Sequence, residues 1–190
     1  MHVLSRRTAL VLAASLAIAS PSWAQSAPRV KLSTSAGDIV VELAADKAPK
    51  TVENFLQYVK DKHYDGTVFH RVIDGFMIQG GGFTADLQQK ATRAPIPLEA
   101  GNGLKNDKYT IAMARTGNPN SATSQFFINV KDNAMLNAPN PDGYGYTVFG
   151  KVVAGTEVVD KIRAARTGNK NGMQDVPVET ITIQSATVAK

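Results

Sequence analysis

Two short runs near the start of the chain alternate apolar and polar residues: Val30-Lys31-Leu32 and Ile39-Val40-Val41-Glu42-Leu43, either side of a turn containing Gly37-Asp38. A period of two sends every second side chain to one face, so the pair predicts a hairpin with one face buried. The period then changes. Pro49 is followed by Val52, Phe55, Leu56 and Val59 at i, i+3, i+4 and i+7, an apolar stripe down one side of a helix. Proline suits the first turn, where its missing N–H would have no partner. Strand-like runs punctuated by glycine follow at Thr67–Val72, Phe76–Gln79, Tyr109–Ala114, Gln125–Val130 and Tyr146–Val152. A second helix fits 156–164, with Thr156 near its start and Val158, Val159 and Ile162 inward, and Thr180–Val188 alternates again. Many short strands with two helices predict a mainly β fold, a closed antiparallel barrel plugged by helices. Thr-Gly-Asn occurs at 116–118 and 167–169 with different flanks. No repeat or low-complexity linker divides residues 25–190, which read as one domain.

The first twenty-four residues carry a different pattern. Arg6-Arg7 precede an apolar run from Ala9 to Ala19, then Ser20-Pro21-Ser22-Trp23-Ala24. A basic head, about a dozen apolar residues and small residues at the cut site make a secretory signal peptide. Ser22 and Ala24 put cleavage before Gln25. The run is too short for the roughly 20 residues of a membrane span. Ser5-Arg6-Arg7-Thr8-Ala9-Leu10 also resembles a twin-arginine export signal, departing from it at Ala9, so both export routes stay open. The expected location is the periplasm.

Composition removes several chemistries. With no cysteine among 190 residues, disulfides, thiol nucleophiles and thiolate metal sites are excluded. Of three histidines, His2 lies in the segment to be removed, and His63 and His70 lack metal-ligand spacing. Net charge is +5, and loss of Arg6 and Arg7 leaves +3, with no Lys/Arg run longer than two. That is a solvated mixed-charge surface, not a stripe that follows phosphates.

Two stretches hold unusual chemistry. The first runs from Phe69-His70-Arg71 to Gly80-Gly81-Gly82-Phe83. Three glycines after a strand could cradle phosphate, but the Gly-Lys-Ser/Thr ending and following helix are missing. The glycines fit left-handed turns or close approach of another backbone. The second stretch is Ala112-Met113-Ala114-Arg115, the polar loop Thr116–Thr123, and Ser124-Gln125-Phe126-Phe127-Ile128. Ser124, His70 and Asp74 could be grouped as a hydrolase triad. Ser124 has no nucleophile-elbow glycines, however, and His70 reads as a satisfied core or rim histidine.

Taken together, Phe69-His70-Arg71 through Gly75-Phe76-Met77-Ile78-Gln79-Gly80-Gly81, then Met113-Ala114-Arg115 and Ser124-Gln125-Phe126-Phe127, then Val148-Phe149-Gly150-Lys151-Val152, resemble cyclophilin in order and spacing. The resemblance covers about Val30 to Val188, and Ile111–Arg115 and Ser121–Val130 look closest to the bacterial periplasmic branch. It implies an eight-stranded antiparallel barrel with a helix at each end and a surface groove for proline-containing segments. It further implies peptidyl-prolyl cis–trans isomerase activity without a cofactor. Arg71 matches the family's catalytic arginine. Phe76, Met77, Phe127 and Leu136 match the proline pocket wall, and Gln79, Ala114, Arg115 and Gln125 match positions that hold the peptide backbone and the residue before proline. Arg115 is Asn in many relatives, where its main chain does the binding. Met135 stands where many eukaryotic relatives have Trp, which implies weak cyclosporin binding. Tyr146 stands where they have a pocket His.

These residue types suit that reaction. An X–Pro bond rotates slowly because resonance gives the C–N bond double-bond character, with a barrier of about 18–20 kcal/mol. At the twisted top the nitrogen regains a lone pair, and a donor aimed there stabilises that state more than either planar one. Arginine is always charged and rigid in geometry. Two other classes are set against the isomerase: a binding module for proline segments or unfolded chains without turnover, and a nucleic-acid-binding barrel. The expected partners are proline-containing polypeptides, exported or unfolded, with no nucleic acid and no membrane span. A monomer is the default.

Overall fold

The computed structural model describes residues 27–189. The signal-peptide reading of residues 1–24, with its cleavage point before Gln25, lies outside them. The first hairpin is β1 (Arg29–Thr34) and β2 (Gly37–Leu43), followed by α1 (Pro49–Lys60). Next come β3 (Thr67–Ile73), β4 (Met77–Thr84), β5 (Thr110–Met113) and β6 (Phe126–Asn129). A 3-10 turn, Ala134–Leu136, precedes β7 (Val148–Ala154) and α2 (Thr156–Arg163). The chain ends with β8 (Thr167–Lys170), β9 (Met173–Pro177) and β10 (Thr182–Ala189). Eight strands close an antiparallel barrel in the order β1-β10-β3-β4-β6-β5-β7-β2. The first and last strands pair from Arg29 to Thr34, so the described residues close on themselves.

The predicted elements are present, with shifted ends. The run expected at Phe76–Gln79 continues through all three glycines to Thr84, because the glycines serve close packing within a strand and do not break it. Gly81 has φ +85, and a Cβ there would meet the Phe126 and Tyr64 rings at 2.9 Å. The β8–β9 hairpin was not foreseen. Its residues are mostly exposed and polar, which erases the period-of-two signal.

Inside the barrel, alternation gives one apolar face per strand. Val72 of β3, Ile78 of β4, Ile128 of β6 and Ile111 of β5 are consecutive cross-strand partners and all lie in the main core. Helix α1 plugs one end. Phe55 is fully buried with ring centroids 5.1 Å from Tyr64, 5.2 Å from Phe149 and 5.8 Å from Phe126. Burial of one such ring stabilises by about 1.5–3 kcal/mol. Leu56 and Val158, expected inward, are only partly buried against this core. No helix among the described residues is long and apolar enough to cross a membrane.

Candidate active site

Pairing register carries the inner row of core residues, and it must equally carry an outer row. Arg71 pairs with Gln79, Gln79 with Phe127, Phe127 with Ala112 and Ala112 with Val148. Partners across a ladder point to the same face, so these five side chains project from the outside of the barrel. Adjacent strands lie about 4.8 Å apart, which sets Arg71 two strands, or about 10 Å of backbone, from Phe127. An extended arginine side chain spans most of that gap.

An outer barrel face is ordinarily polar. Here it holds a second apolar cluster, separate from the core: Met77, Phe127, Leu136, Ala112 and Val148 are buried, and Phe76, Ala114 and Tyr146 pack against them. Tyr146 meets Phe127 edge to face at 5.7 Å. Phe76, Met77, Ala114, Phe127, Leu136 and Tyr146, predicted from separated motifs, therefore share one apolar cluster, with Gln79 and Arg71 next along the ladder from Phe127. Gln79 Nε2 donates to Gln125 Oε1 at 2.9 Å, and the Ala114 N–H donates to the Gln125 carbonyl at 3.0 Å. Gly82 makes room for this arrangement, since a Cβ there would collide with the Gln125 side chain. A cavity of about 810 Å³ lies beside this cluster, between β2, Leu56, Leu104 and Val148.

The Arg115 side chain is 2% exposed and bonded into the 137–145 loop. Nε and Nη2 donate to the Gly145 carbonyl at 3.0 and 2.8 Å, Nη1 to the Thr116 carbonyl at 3.0 Å, and Nη2 to Asp142 at 2.8 Å. The guanidinium also lies over the Tyr146 ring, 4.4 Å from its centroid. The physical reason is the 137–145 loop, whose carbonyl and carboxylate outcompete water for a planar five-donor group. These hydrogen bonds hold the Asp142 carboxyl below its usual range. Arg115 thus fixes the wall that carries Tyr146. Arg115→Ala is expected to raise KM severalfold at nearly constant kcat, and to speed amide exchange across 137–145, as hydrogen-exchange measurements would read.

His70 is the core histidine expected, but not a satisfied one. It is buried against Phe83, with ring centroids 4.6 Å apart, but Nδ1 has no hydrogen-bond partner. The triad reading fails: the Oγ of buried Ser124 is likewise unpartnered, and Asp74 receives a 2.8 Å bond from Arg163. Burial first, with the Arg71 charge adding, pushes the imidazole down to about 4. The unfolded chain then binds the proton that the folded one refuses between about pH 6.5 and 4, so stability falls as pH drops through that window. The loss is expected to approach about 3 kcal/mol by pH 4. His70→Phe should remove most of that slope in urea titrations at stepped pH.

Sequence reasoning missed the polar support beneath the groove. Asn106, Asn129 and Asn133 are almost completely buried. Asn129 Nδ2 donates to Asn106 Oδ1 at 3.2 Å and Thr110 Oγ1 at 3.0 Å, and its Oδ1 accepts from Asn133 at 2.7 Å. Asn133 also donates to the Phe76 carbonyl at 2.8 Å, and Asn106 to the Leu136 carbonyl at 3.2 Å. The network ties both walls of the apolar patch to β6. The available signal was Asn129 inside an apolar strand run, where an amide is tolerated only when its bonds are met.

Comparison with known proteins identifies the family. The family model described as "Cyclophilin type peptidyl-prolyl cis-trans isomerase/CLD" matches residues 29–188. The chain is 63% identical over 161 residues to peptidyl-prolyl cis-trans isomerase cyp18 of Streptomyces antibioticus, covering 84% of this chain and 97% of the relative. Identity to peptidyl-prolyl cis-trans isomerase A of Dickeya dadantii is 53% over 183 residues, 96% of each chain. A cyclophilin type isomerase from Cryptosporidium parvum, crystallised in the presence of the dipeptide Ala-Pro, superposes with a TM-score of 0.73 at 29% identity, covering 85% of this chain and 99% of that one. The chain belongs to the cyclophilin-type peptidyl-prolyl cis–trans isomerases. It is an enzyme, and its reaction is rotation about the bond preceding proline.

Proposed function

We propose that this isomerase binds proline-containing segments in the outer-face groove and that Arg71 is its catalytic residue. The observation that carries this reading is the cross-strand row Arg71, Gln79, Phe127, Ala112 beside a buried apolar cluster on a face that should be polar. Phe76, Met77, Phe127 and Leu136 clamp the proline ring, with Tyr146 and Ala114 at the edge. Gln79 and Gln125 hold the peptide backbone, and Arg115 contributes through its main chain. With the ring held, the acyl side turns. The apolar wall shields the amide from water, which favours the more polar planar state, while the Arg71 guanidinium donates to the nitrogen lone pair that appears as conjugation is lost. No proton is transferred and no covalent intermediate forms.

The relative crystallised in the presence of Ala-Pro supports an Ala-Pro peptide as the probe. Exchange NMR on a short Ala-Pro peptide tests the reading: wild type should accelerate cis–trans exchange and Arg71→Ala should lose most of that gain. Equal rates for the two proteins would leave a proline-binding module in its place. The clients we propose are exported proteins folding in the periplasm, on the strength of the Arg6-to-Ala24 signal pattern. Fractionation with N-terminal sequencing is expected to find a periplasmic chain beginning at Gln25. Met135 is exposed where many eukaryotic relatives have Trp, and we expect cyclosporin to bind weakly.

A further inference from the structure

The β8–β9 hairpin stands outside the barrel, yet it reaches Arg71. Asp175 Oδ2 lies 3.7 Å from Arg71 Nε, within ion-pair range and beyond hydrogen-bond length. Three features fix that carboxylate. Asp175 has φ +60, a left-handed conformation that few non-glycine residues adopt. The hairpin register shifts between Gly168 and Lys170, opposite the stretch that carries Asp175, and such irregularities re-aim side chains. Apolar anchors then flank it: Val176 is buried with Val68 and Leu87, and Met173 packs on the same cluster with Phe83. Between hairpin and barrel a cavity of about 410 Å³ is lined by His70, Arg71, Phe83, Gln125 and Asp175.

From this arrangement we infer that Asp175 is a positioning residue for catalysis, holding the Arg71 guanidinium by its Nε edge so that the terminal Nη donors face the peptide nitrogen. The inference rests on Arg71 being the catalytic donor. The ion pair is about half exposed, with side chains 45% and 39% accessible. It therefore contributes little to folding. Its effect is orientational: an arginine free to sample many rotamers spends less time in the productive one, whereas a carboxylate on the far edge narrows that choice without occupying the reacting donors.

The test compares Asp175→Asn, Asp175→Glu and Arg71→Ala in the full enzyme. Asp175→Asn is expected to lower kcat about two- to fivefold with KM and melting temperature nearly unchanged, and Asp175→Glu to recover much of that loss. Salt supplies a readout that a merely structural role would not move. Going from about 0.05 M to about 1 M salt should slow the wild type toward the Asn variant and leave that variant itself nearly unaffected. The Arg71 Nε–H resonance should sharpen toward a mobile guanidinium in the Asn variant. Asp175→Asn with wild-type or higher kcat, or with a loss confined to KM, overturns the role of Asp175 while the Arg71 reading stands. Full turnover in Arg71→Ala instead overturns the reading beneath it.

Discussion

An Arg71→Ala enzyme is expected to lose about 10- to 100-fold in kcat/KM toward an Ala-Pro peptide while melting at the wild-type temperature. The size follows from the bond removed. A charge-assisted hydrogen bond contributes about 1.5–3 kcal/mol, and each 1.36 kcal/mol is about a tenfold change in rate. The bond forms only as the imide twists, so kcat should fall more than KM rises. Stability is spared because Arg71 sits exposed on the outer face of β3, in a surface ion pair with Asp175. Arg71→Lys keeps the charge but loses the planar fork, and should land between the two. Stopped-flow or exchange measurements beside a thermal melt separate these outcomes, and a Lys variant as slow as Ala would show that geometry outweighs charge.

The second large effect falls on residues that touch no substrate. Asn129→Ala deletes the two donors and one acceptor that join Asn106, Thr110 and Asn133. It leaves Asn106 Oδ1 buried without its donor and opens a small void. An orphaned buried polar group costs about 1–3 kcal/mol, so the combined destabilisation is expected at about 3 kcal/mol, a fall in Tm of about 6–12 °C for a chain of this size. Because the same network reaches the carbonyls of Phe76 and Leu136, KM should rise even at temperatures where the variant remains folded. Urea unfolding and steady-state kinetics on one preparation would measure both. An unchanged KM would mean the apolar walls hold their spacing through packing alone.

Several features were open to reading without coordinates because they depend on neighbours in the chain. The β1–β2 hairpin and α1 announced themselves through periods of two and 3.6, since local backbone geometry repeats with those periods. Phe76, Met77, Ala114, Phe127, Leu136 and Tyr146 were named from motif resemblance, and the barrel gathers them into one cluster. Other features were hidden. The exposed β8–β9 hairpin buries too little to pattern its residues. The partners of the Arg115 side chain were hidden because nothing in its neighbours reveals that Gly145 and Asp142, some thirty positions on, would claim its guanidinium. His70 looked satisfied, and its unpartnered Nδ1 emerges only from packing against Phe83.

What the amino-acid order alone determined, then, is the inventory: which barrel segments are strands or helices, and which chemistry is possible in a chain with no cysteine and an arginine among apolar motifs. Closure of the barrel decided the rest. Ladder register alone sets Arg71, Gln79, Phe127 and Ala112 side by side from four strands, and only a folded hairpin brings Asp175 to Arg71. Local periodicity is written in successive residues, whereas a contact across a hundred positions exists only once the chain has given up the entropy to close the intervening loop.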